Sequence, residues 1–490
     1  MEVFFYIGNS KLFNLMRNTL FFLCFSSLFS TYGQHITVLD SLTQAPIPFV
    51  HVFDGTKGVI ASANGAFFWK EGTQTDTLSL SCMGYTTKTI AVLQLKDSIY
   101  LLPKTVALTE IVVSNKVLSG KEIIERVIQN TSQNMDFGLS SSEVFIRTKG
   151  SNDIQKMDIE INKSTVKELD QSFVDEILQE VPKKEHWSSF SRSNWLRDNS
   201  GLKLHKLKVT QAATLLDSIN EAAYVSIEET MSSILKKRVK KDSYFKVKSG
   251  PLIATKVEND FAEPVDSIAN DSNALTPKQY AKRQLGTLQQ LAITKLFEEK
   301  SWVLPFLVKL RKYSFVNEGV VYDLGTPTFK VRFTSTNKKD YSGYLLVDVE
   351  DFGVRKISYQ SNEHEKRIKL FGLFYKGKLT NRTYLFVKNQ LGKYTLYYLG
   401  NEYQTQTGMT RPFKIIEKNK IVKGRNRQNV LSMDVNVSMK NIEKQNIYFN
   451  SFTSISKEEF DAFTFEHTVT PIDFFSIEAV RESMPSFPVE

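Results

Sequence analysis

The chain has 490 residues, of which 41% are hydrophobic and 12% aromatic. That is the make-up of a folded protein and excludes a disordered one, which would carry far fewer apolar side chains. Lys and Arg number 63 against 53 Asp and Glu, a net charge of +10, and the two cysteines are Cys24 and Cys82.

An apolar run from Thr19 to Phe29 comes first, with Arg17 before it and Thr31-Tyr32-Gly33 behind it. A helix needs about 20 residues to cross a bilayer, so this run is too short. A positive flank, a short apolar stretch and small residues at the minus-three and minus-one positions make a secretory signal peptide, residues 1–33, with cleavage after Gly33. Met16-Arg17 begins a more orthodox signal than Met1, so both starts stay open. A buried or membrane-anchoring N-terminal helix is the alternative. Cys24 sits mid-run beside Phe22-Leu23 and Phe25, without the small residues a lipoprotein site requires. Cleavage lowers the net charge only to about +9 and leaves Cys82 alone, so no intramolecular disulfide can form. Cys82, between strand residues Leu80 and Met83, reads as a small core side chain. A basic exported protein can meet anionic lipid or polysaccharide, whereas nucleic acid is not expected in that compartment. No later segment approaches 18 uncharged apolar residues, so no other helix is expected to span a membrane.

Residues 34–115 alternate short strands with turns, as a β-sandwich requires. Strands are expected at Ile36 to Leu39, Phe49 to Phe53, Val59-Ile60, Ala66 to Trp69, Thr77 to Cys82, Thr87 to Val92 and Ile99 to Leu102. Asn64 and Gly65 suit a tight turn with positive φ, and Gly84 with Tyr85 marks another. The framework is V-x-D at Val38 and Asp40, P-I-P at Pro46 to Pro48, N-G-x-F at Asn64 to Phe67, G-Y at Gly84-Tyr85 and L-T-E-I-V-V at Leu108 to Val113. This order resembles the carboxypeptidase-regulatory-like domain, a prealbumin-type Greek-key sandwich appended to many exported proteins. Such sandwiches stand ahead of TonB-dependent transporters and of carboxypeptidases, where they are not the catalytic part.

A helix with its linker is expected over 116–142. Ser119 and Glu122 form a capping box, and Ile123, Ile124, Val127 and Ile128 follow on one face. Asn130 to Ser142 reads as linker. The order of sandwich, L-x-E-I-V-V and then E-I-I-E-R-V-I-Q-N resembles exported bacterial proteins in which a β-rich segment follows the regulatory domain.

Residues 143–302 read as a mixed α/β segment. Val166, Leu169, Phe173, Ile177 and Val181 keep helical spacing. Thr276-Pro277 starts a helix running through Tyr280, Leu285, Leu288 and Leu291 to Phe297, and Asn259 to Ser272 reads as a loop. Residues 303–490 read as an antiparallel β-rich domain. Its strands are expected at Thr328 to Ser335, Gly343 to Val349, Gly353 to Gln360, Ile368 to Lys376, Tyr384 to Lys388 and Tyr394 to Leu399. The fold class is therefore mainly β with α segments: a sandwich, then an α+β domain with a large antiparallel sheet. Ser342 to Ile357 reads as a hairpin turning at Glu350 to Gly353. It resembles a hairpin of the lipoprotein-carrier type of envelope protein, and that resemblance implies a half-barrel able to hold an apolar ligand in its concave face.

Familiar chemistry is absent from the pattern. The histidines His35, His51, His186, His205, His364 and His467 show no H-x-x-E or H-E-x-x-H spacing for zinc. There is no G-x-S-x-G elbow and no phosphate-binding glycine loop. Asp348, Glu350 and Asp351 lie at a hairpin turn, where solvation accounts for them, and His364-Glu365 reads as a solvated turn. The basic runs Lys236-Lys237-Arg238 with Lys240-Lys241, and Lys418 to Arg427, read as solvated faces. No catalytic, metal or cofactor residue is expected, and no cofactor.

The sequence thus points to a non-catalytic protein exported to the periplasm or outer membrane of a Gram-negative bacterium. Its sandwich would be an adaptor, and its β-rich domain would bind an apolar ligand or an envelope partner such as a protein, lipid or polysaccharide. Two alternatives stay open. One is a small outer-membrane barrel formed by the last ~180 residues, which Lys366, Arg367, Lys369, Lys376 and Lys378 on its strands disfavour. The other is an exported hydrolase of unrecognised type. The ligand and the oligomeric state are not encoded in any recognisable motif.

Overall fold

The computed structural model describes residues 33–47, 50–53, 58–62, 64–70, 76–82, 85–103, 118–198, 205–240, 243–250, 253–258, 276–289, 291, 296–323, 326–389, 391–419, 429–464 and 466–483. The signal peptide up to Tyr32, Gly84, the Leu108 to Val113 stretch and the Asn259 to Ser272 loop lie outside them. The chain divides into two compact units, Met1–Thr105 with Arg481–Glu490, and Val106–Val480.

The first unit holds β1 (Gly33–Asp40), β2 (His51–Phe53), β3 (Gly58–Ile60), β4 (Ala66–Lys70), β5 (Thr77–Ser81), β6 (Lys88–Ala91) and β7 (Ser98–Leu101). They form two sheets, ordered β4-β1-β7 and β3-β2-β5-β6. Alternate side chains of both sheets meet in one core: Ile36, Val38, Phe67, Trp69, Ile99 and Leu101 from the first, Val52, Leu78 and Leu80 from the second. Period-two alternation places each of them inward, and Cys82 packs half-buried against this core.

Two polar details hold the sandwich's turns. Gly65 takes φ +73°. The turn is closed by the Gly65 N–H on the Ser62 carbonyl at 3.0 Å, and the Ser62 hydroxyl accepts from the Asn64 and Ala66 N–H groups at 3.2 Å each. Asp40 is buried. It accepts from the backbone of Leu42 and Thr43 and, at 2.7 Å, from the Tyr85 hydroxyl. Burial alone would raise the Asp40 pKa, but these hydrogen bonds outweigh it and hold the carboxyl below its ordinary 3.8. Tyr85 is pushed up, by burial and by Asp40.

The second unit begins with α1 (Gly120–Asn134). Ser119 Oγ accepts from the Glu122 N–H, and Glu122 in turn accepts from the Ser119 N–H. Then come β8 (Leu139–Ser164), α2 (Gln171–Glu180), β9 (Lys184–Asp198), β10 (His205–Leu215), α3 (Ser218–Arg238), β11 (Ser243–Ser249), β12 (Ile253–Glu258) and α4 (Pro277–Leu288). The short pair β13 (Phe297–Glu298) and β14 (Ser301–Trp302) and α5 (Pro305–Val308) lead to β15 (Ser314–Asp323), β16 (Thr326–Thr334), β17 (Tyr341–Asp348) and β18 (Val354–Ser361). After β19 (Lys366–Leu370), β20 (Leu373–Lys388), β21 (Tyr394–Asn419) and β22 (Val430–Ser454) the chain ends in α6 (Lys457–Ala462), β23 (Ile472–Phe474) and α7 (Ile477–Ser483).

Fourteen of these strands make one sheet, whose main path is β15-β16-β17-β18-β20-β21-β22-β8-β9-β10-β23, with β11, β12 and β19 at its side. The pairings are antiparallel except that of β10 with β23. The path does not close, so the barrel alternative has no closed sheet behind it among the described strands. Three sequence expectations change here. The separation of 143–302 from 303–490 is absent, because β8 pairs along its length with β22 and brings both stretches into one sheet. The linker over Asn130 to Ser142 is the end of α1 and the start of β8. The stretch Ile368 to Lys376 is a hairpin, turned at Phe371-Gly372, rather than one strand.

One face of the sheet, here called inner, is covered by helices. From α1 come Ile123, Ile124 and Val127, from α4 Tyr280, Ala281 and Leu288, and from α5 Phe306 and Leu307. They pack on Val331, Phe333, Leu345, Val347, Ile357, Tyr359, Tyr384, Phe386, Leu399 and Ile447. The Phe306 and Phe333 rings stack 4.0 Å apart. Each fully buried side chain of this size contributes about 1.5–3 kcal/mol, so packing rather than helix propensity holds α1 in place.

Two outcomes are expected for the first unit. Gly65→Val should lower its stability by about 2 kcal/mol or more, read as the thermal midpoint of its unfolding transition. A β-branched residue resists positive φ, and the new Cβ would stand 2.7 Å from the Val38 carbonyl oxygen. Asp40 contributes stability that is full above its unfolded pKa and is lost as pH falls through its lowered folded pKa. The parent should therefore lose its advantage over Asp40→Asn on acidification from about pH 5, measured by denaturant unfolding at a series of pH values.

Candidate functional site

The ladder between β21 and β22 runs from Tyr398–Tyr448 to Ile416–Val430 without a bulge. Side-chain direction alternates along a strand, so the face that carries the buried pair Leu399 and Ile447 carries every second pair beyond it. In order these are Asn401–Gln445, Tyr403–Glu443, Thr405–Asn441, Thr407–Met439, Met409–Val437, Arg411–Val435, Phe413–Met433 and Ile415–Leu431. On the far side, β8 sets Ile154 opposite Met439, Met157 opposite Val437, Ile159 opposite Val435 and Ile161 opposite Met433. The inner face therefore leaves the filled core, crosses a polar belt and becomes an apolar trough. Its aliphatic side chains from Ile154 to Ile161 and from Leu431 to Met439 are half-buried, apart from buried Val435. At strand rise the stretch from Met439 to Leu431 is about 27 Å long.

The polar belt borders a cavity of about 860 Å³ between the sheet and α4, lined by Thr148, Trp187, Tyr280, Arg283, Glu443 and Gln445 among others. Burial raises the Glu443 pKa, and Arg283 opposes that rise. Burial also raises Tyr280, against the nearby charge of Arg283. Arg382 donates from Nε and Nη2 to Asn401 Oδ1 at 3.0 and 2.8 Å, which continues the belt across β20.

At its far end the trough enters a pocket of about 240 Å³ lined almost wholly by carbon. Met231, Leu235 and Val239 come from α3 and its end, Phe245, Val247 and Val257 from β11 and β12, and Ile415 and Leu431 from the sheet. Engineered apolar cavities of about 150 Å³ already accept benzene. The one carboxylate at the wall, Glu417, is buried and accepts from Ser243 Oγ, the Lys240 N–H and Asn429 Nδ2 at 2.5, 2.9 and 2.7 Å. It thereby ties the end of α3 to the start of β22.

The C-terminal part of α3 packs on the pocket end of the trough, where Met231, Leu235 and Val239 line the pocket with Leu431. Asp217 caps the helix on the N–H groups of Ile219 and Asn220, and Asn220 Nδ2 donates to the Lys184 carbonyl at 2.9 Å. At the other end Arg238 pairs with Glu168, and Asn429 Nδ2 donates to the Arg238 carbonyl at 2.9 Å. The charged run Lys236-Lys237-Arg238 is exposed at this end, where cations suit the helix dipole. Between the two ends Tyr224, Ile227, Met231, Ile234 and Leu235 recur at helical spacing on the half-buried side, and only Ile234 is fully buried. Polar ties hold the ends of this helix more than packing holds its middle.

The residues singled out from sequence have local roles. Asn64, Gly65 and Tyr85 serve the turns of the sandwich, and Ser119 and Glu122 cap α1. Asp348, expected to be solvated, is instead buried. It accepts from Tyr394 Oη at 3.1 Å and faces Arg355 at 3.7 Å. Asp351 also accepts from Tyr394, and pairs with Lys388 at 2.8 Å. Buried carboxylates need such partners, so this cluster holds the hairpin. His205 sits 5.7 Å from the Trp195 ring, and burial with the Arg197 charge lowers its pKa to about 4. Among the described residues no three His, Cys, Asp or Glu side chains come together as metal ligands. Sequence reading missed the trough and α3, although Met157, Ile159 and Ile161 alternate with Lys156, Asp158 and Glu160, as an exposed-on-one-side strand should.

No family model matches the chain, and no curated protein does. Among solved structures it is similar to a LolA-superfamily protein from Nitrosomonas europaea, at 10% identity and a TM-score of 0.21, covering 71% of this chain and 99% of that one. A DUF1329-family protein from Desulfovibrio piger gives 8% identity and a TM-score of 0.20 over 71% and 98%. MucB in complex with periplasmic MucA gives 9% and 0.15 over 65% and 93%. At such TM-scores these likenesses carry no argument for function.

If the hairpin cluster is structural, Arg355→Met should destabilise the second unit by about 3 kcal/mol or more, because it leaves the buried Asp348 carboxylate without its facing cation. The denaturant midpoint of the second unit reads this. A midpoint equal to the parent's would show that Asp348 has access to water.

Proposed function

We propose that this chain is a non-catalytic envelope protein that holds an acyl-bearing, amphipathic ligand on the inner face of its open sheet. The observation that carries the reading is the half-buried apolar trough, which ends in a carbon-lined pocket beneath the end of α3 and begins at a polar cavity. One leaflet's hydrocarbon is about 15 Å deep, half of a bilayer core, so a trough of about 27 Å takes a whole acyl chain with room to spare. The polar end of such a ligand would meet Arg283, Glu443 and Gln445. A cavity of about 860 Å³ with a few placed polar groups suits that part. The arrangement suits binding and shielding of such a ligand.

The apolar run with its positive flank supports export to the periplasm, and the basic charge suits contact there with anionic lipid or polysaccharide. The order of turn and strand residues in the first unit supports a regulatory-type sandwich acting as adaptor or docking module.

The test is binding of N-phenyl-1-naphthylamine, which fluoresces in apolar surroundings, to the full chain, followed by displacement with a fatty acid or lysophospholipid. Leu431→Trp, which fills the pocket, should weaken probe binding by tenfold or more while leaving the thermal midpoint within a few degrees. Unchanged affinity in that variant would sink the assignment of the trough, as would a parent that binds no probe.

A further inference from the structure

The hairpin of β19 and β20 carries an exposed apolar end. Ile368, Leu370, Phe371 and Leu373 are 59, 57, 62 and 42% exposed, and every residue of β19 is exposed. Soluble proteins expose single apolar side chains routinely, but a contiguous group of this kind marks a contact surface. The stretch Lys366 to Lys378 reads K-R-I-K-L-F-G-L-F-Y-K-G-K, with five cations and no carboxylate. Among the described residues, Arg367 alone of the five meets a carboxylate, Glu363 at 3.4 Å. The shared field reaches His364, whose charged form is disfavoured by burial and by Arg367, Lys376 and Lys378.

The turn itself is a second, independent observation. Leu370 pairs with Leu373, so Phe371 and Gly372 are the two loop residues, and both have positive φ, 47° and 78°. That is the geometry of a primed hairpin turn, where Asn-Gly or Asp-Gly is the favoured pair. A bulky aromatic side chain at positive φ is an outlier that costs free energy. Folding would be served better by asparagine there, and better again by a polar tip. The tip is nonetheless held firmly. Arg411 Nη1 donates to the Phe371 carbonyl at 2.6 Å, while its Nε and Nη2 hold Ser249 at 2.7 and 2.6 Å. The Thr410 N–H donates to the Gly372 carbonyl at 2.8 Å.

We infer that the β19–β20 hairpin docks this protein on an anionic lipid surface, with Leu370, Phe371 and Leu373 entering the headgroup boundary and the flanking cations meeting phosphate. Aromatic and leucine side chains bury about 5–10 Å into that boundary, with basic residues on the polar side. Lys369 lies one residue from the tip and Lys376 three from Leu373, within about 10 Å of it at strand rise. Charge selects the surface: five cations without a carboxylate fit an anionic bilayer. The inference does not depend on what the trough holds.

Co-sedimentation of the full chain with phosphatidylcholine vesicles, with and without phosphatidylglycerol, tests it. The parent should bind the anionic vesicles and be released by high salt. Lys369→Glu with Lys376→Glu should weaken binding more than tenfold, at about fivefold or more per charge. Phe371→Asn should abolish binding while keeping or raising the thermal midpoint, because it relieves the turn. A merely structural tip would behave in the opposite way. The inference fails if the parent ignores anionic vesicles or if the variants sediment as the parent does. It also fails if the parent self-associates, without lipid, until Phe371 is replaced, which would assign the tip to a second copy of the chain.

Discussion

An unbroken antiparallel ladder cannot change which face its side chains take, and the β21–β22 ladder is the element on which the second unit depends. Because no bulge interrupts it, the face buried under α1, α4 and α5 at one end is the face that reaches the pocket beneath the end of α3 at the other. Two different coverings must therefore be met by one strand pair. The sequence of β22 meets them in turn, with Ile447 and Phe449 in the filled core, Gln445 and Glu443 at the belt, and then Met439, Val437, Val435, Met433 and Leu431. Alongside this ladder the bulges lie in the neighbouring strands, in β20 near Thr380 and in β8 near Asn162 and Gln155, while those of β21 at Tyr397 and of β22 past Asn450 fall outside it, so they bend the sheet without breaking the central alternation.

The two ends of this face are packed by different means. The filled core uses large rings, among them Phe306, Phe333, Tyr359, Tyr384 and Trp195, that interlock and leave little space. The trough uses methionine and β-branched aliphatics, and methionine adapts its shape to what lies against it. The helix α3, whose end closes the pocket, is tied by Asn220, Arg238 and Asn429 at its ends. An end-tied helix over adaptable side chains can be displaced along its middle at lower cost than one with a buried stripe such as α1, whose Ile123 and Ile124 are fully enclosed. That difference in local stability is what a binding face needs.

Much of the architecture was legible because it is written locally. The capping pair Ser119 and Glu122, the Thr276-Pro277 start of α4 and the turn before Val354 are signals contained within a few residues, and the structure places elements at each. What was not legible is non-local. Nothing in β8 announces that its partner is β22, some 290 residues away, so the stretch before residue 302 looked like a separate segment. The trough exists only as the product of that pairing, since neither Met157 nor Val437 alone distinguishes a core strand from a half-covered one. Asp348 misled for a related reason: a turn carboxylate is solvated by default, and here Tyr394 and Arg355, distant in sequence or across the hairpin, close over it. The hairpin at Phe371-Gly372 was hidden because a phenylalanine stands where turn chemistry calls for asparagine.

That last departure bears on function more than the others. Where local preference and structure disagree, either packing compensates or the site serves something besides folding. At Asp348 the compensation is visible in the ion pair and the tyrosine. At Phe371 the side chain is exposed, and the hydrogen bonds from Arg411 and Thr410 hold only its backbone and that of Gly372. Folding gains nothing from the ring in that position. Leu373, beside it, also belongs to the trough, since it pairs with Met409, which in turn pairs with Val437 and so connects with Met157. One apolar row thus runs from the exposed hairpin to the covered face. The pocket beneath α3 lies at Leu431, six residues or about 20 Å along β22 from that row, far enough that a change at either place leaves the other intact.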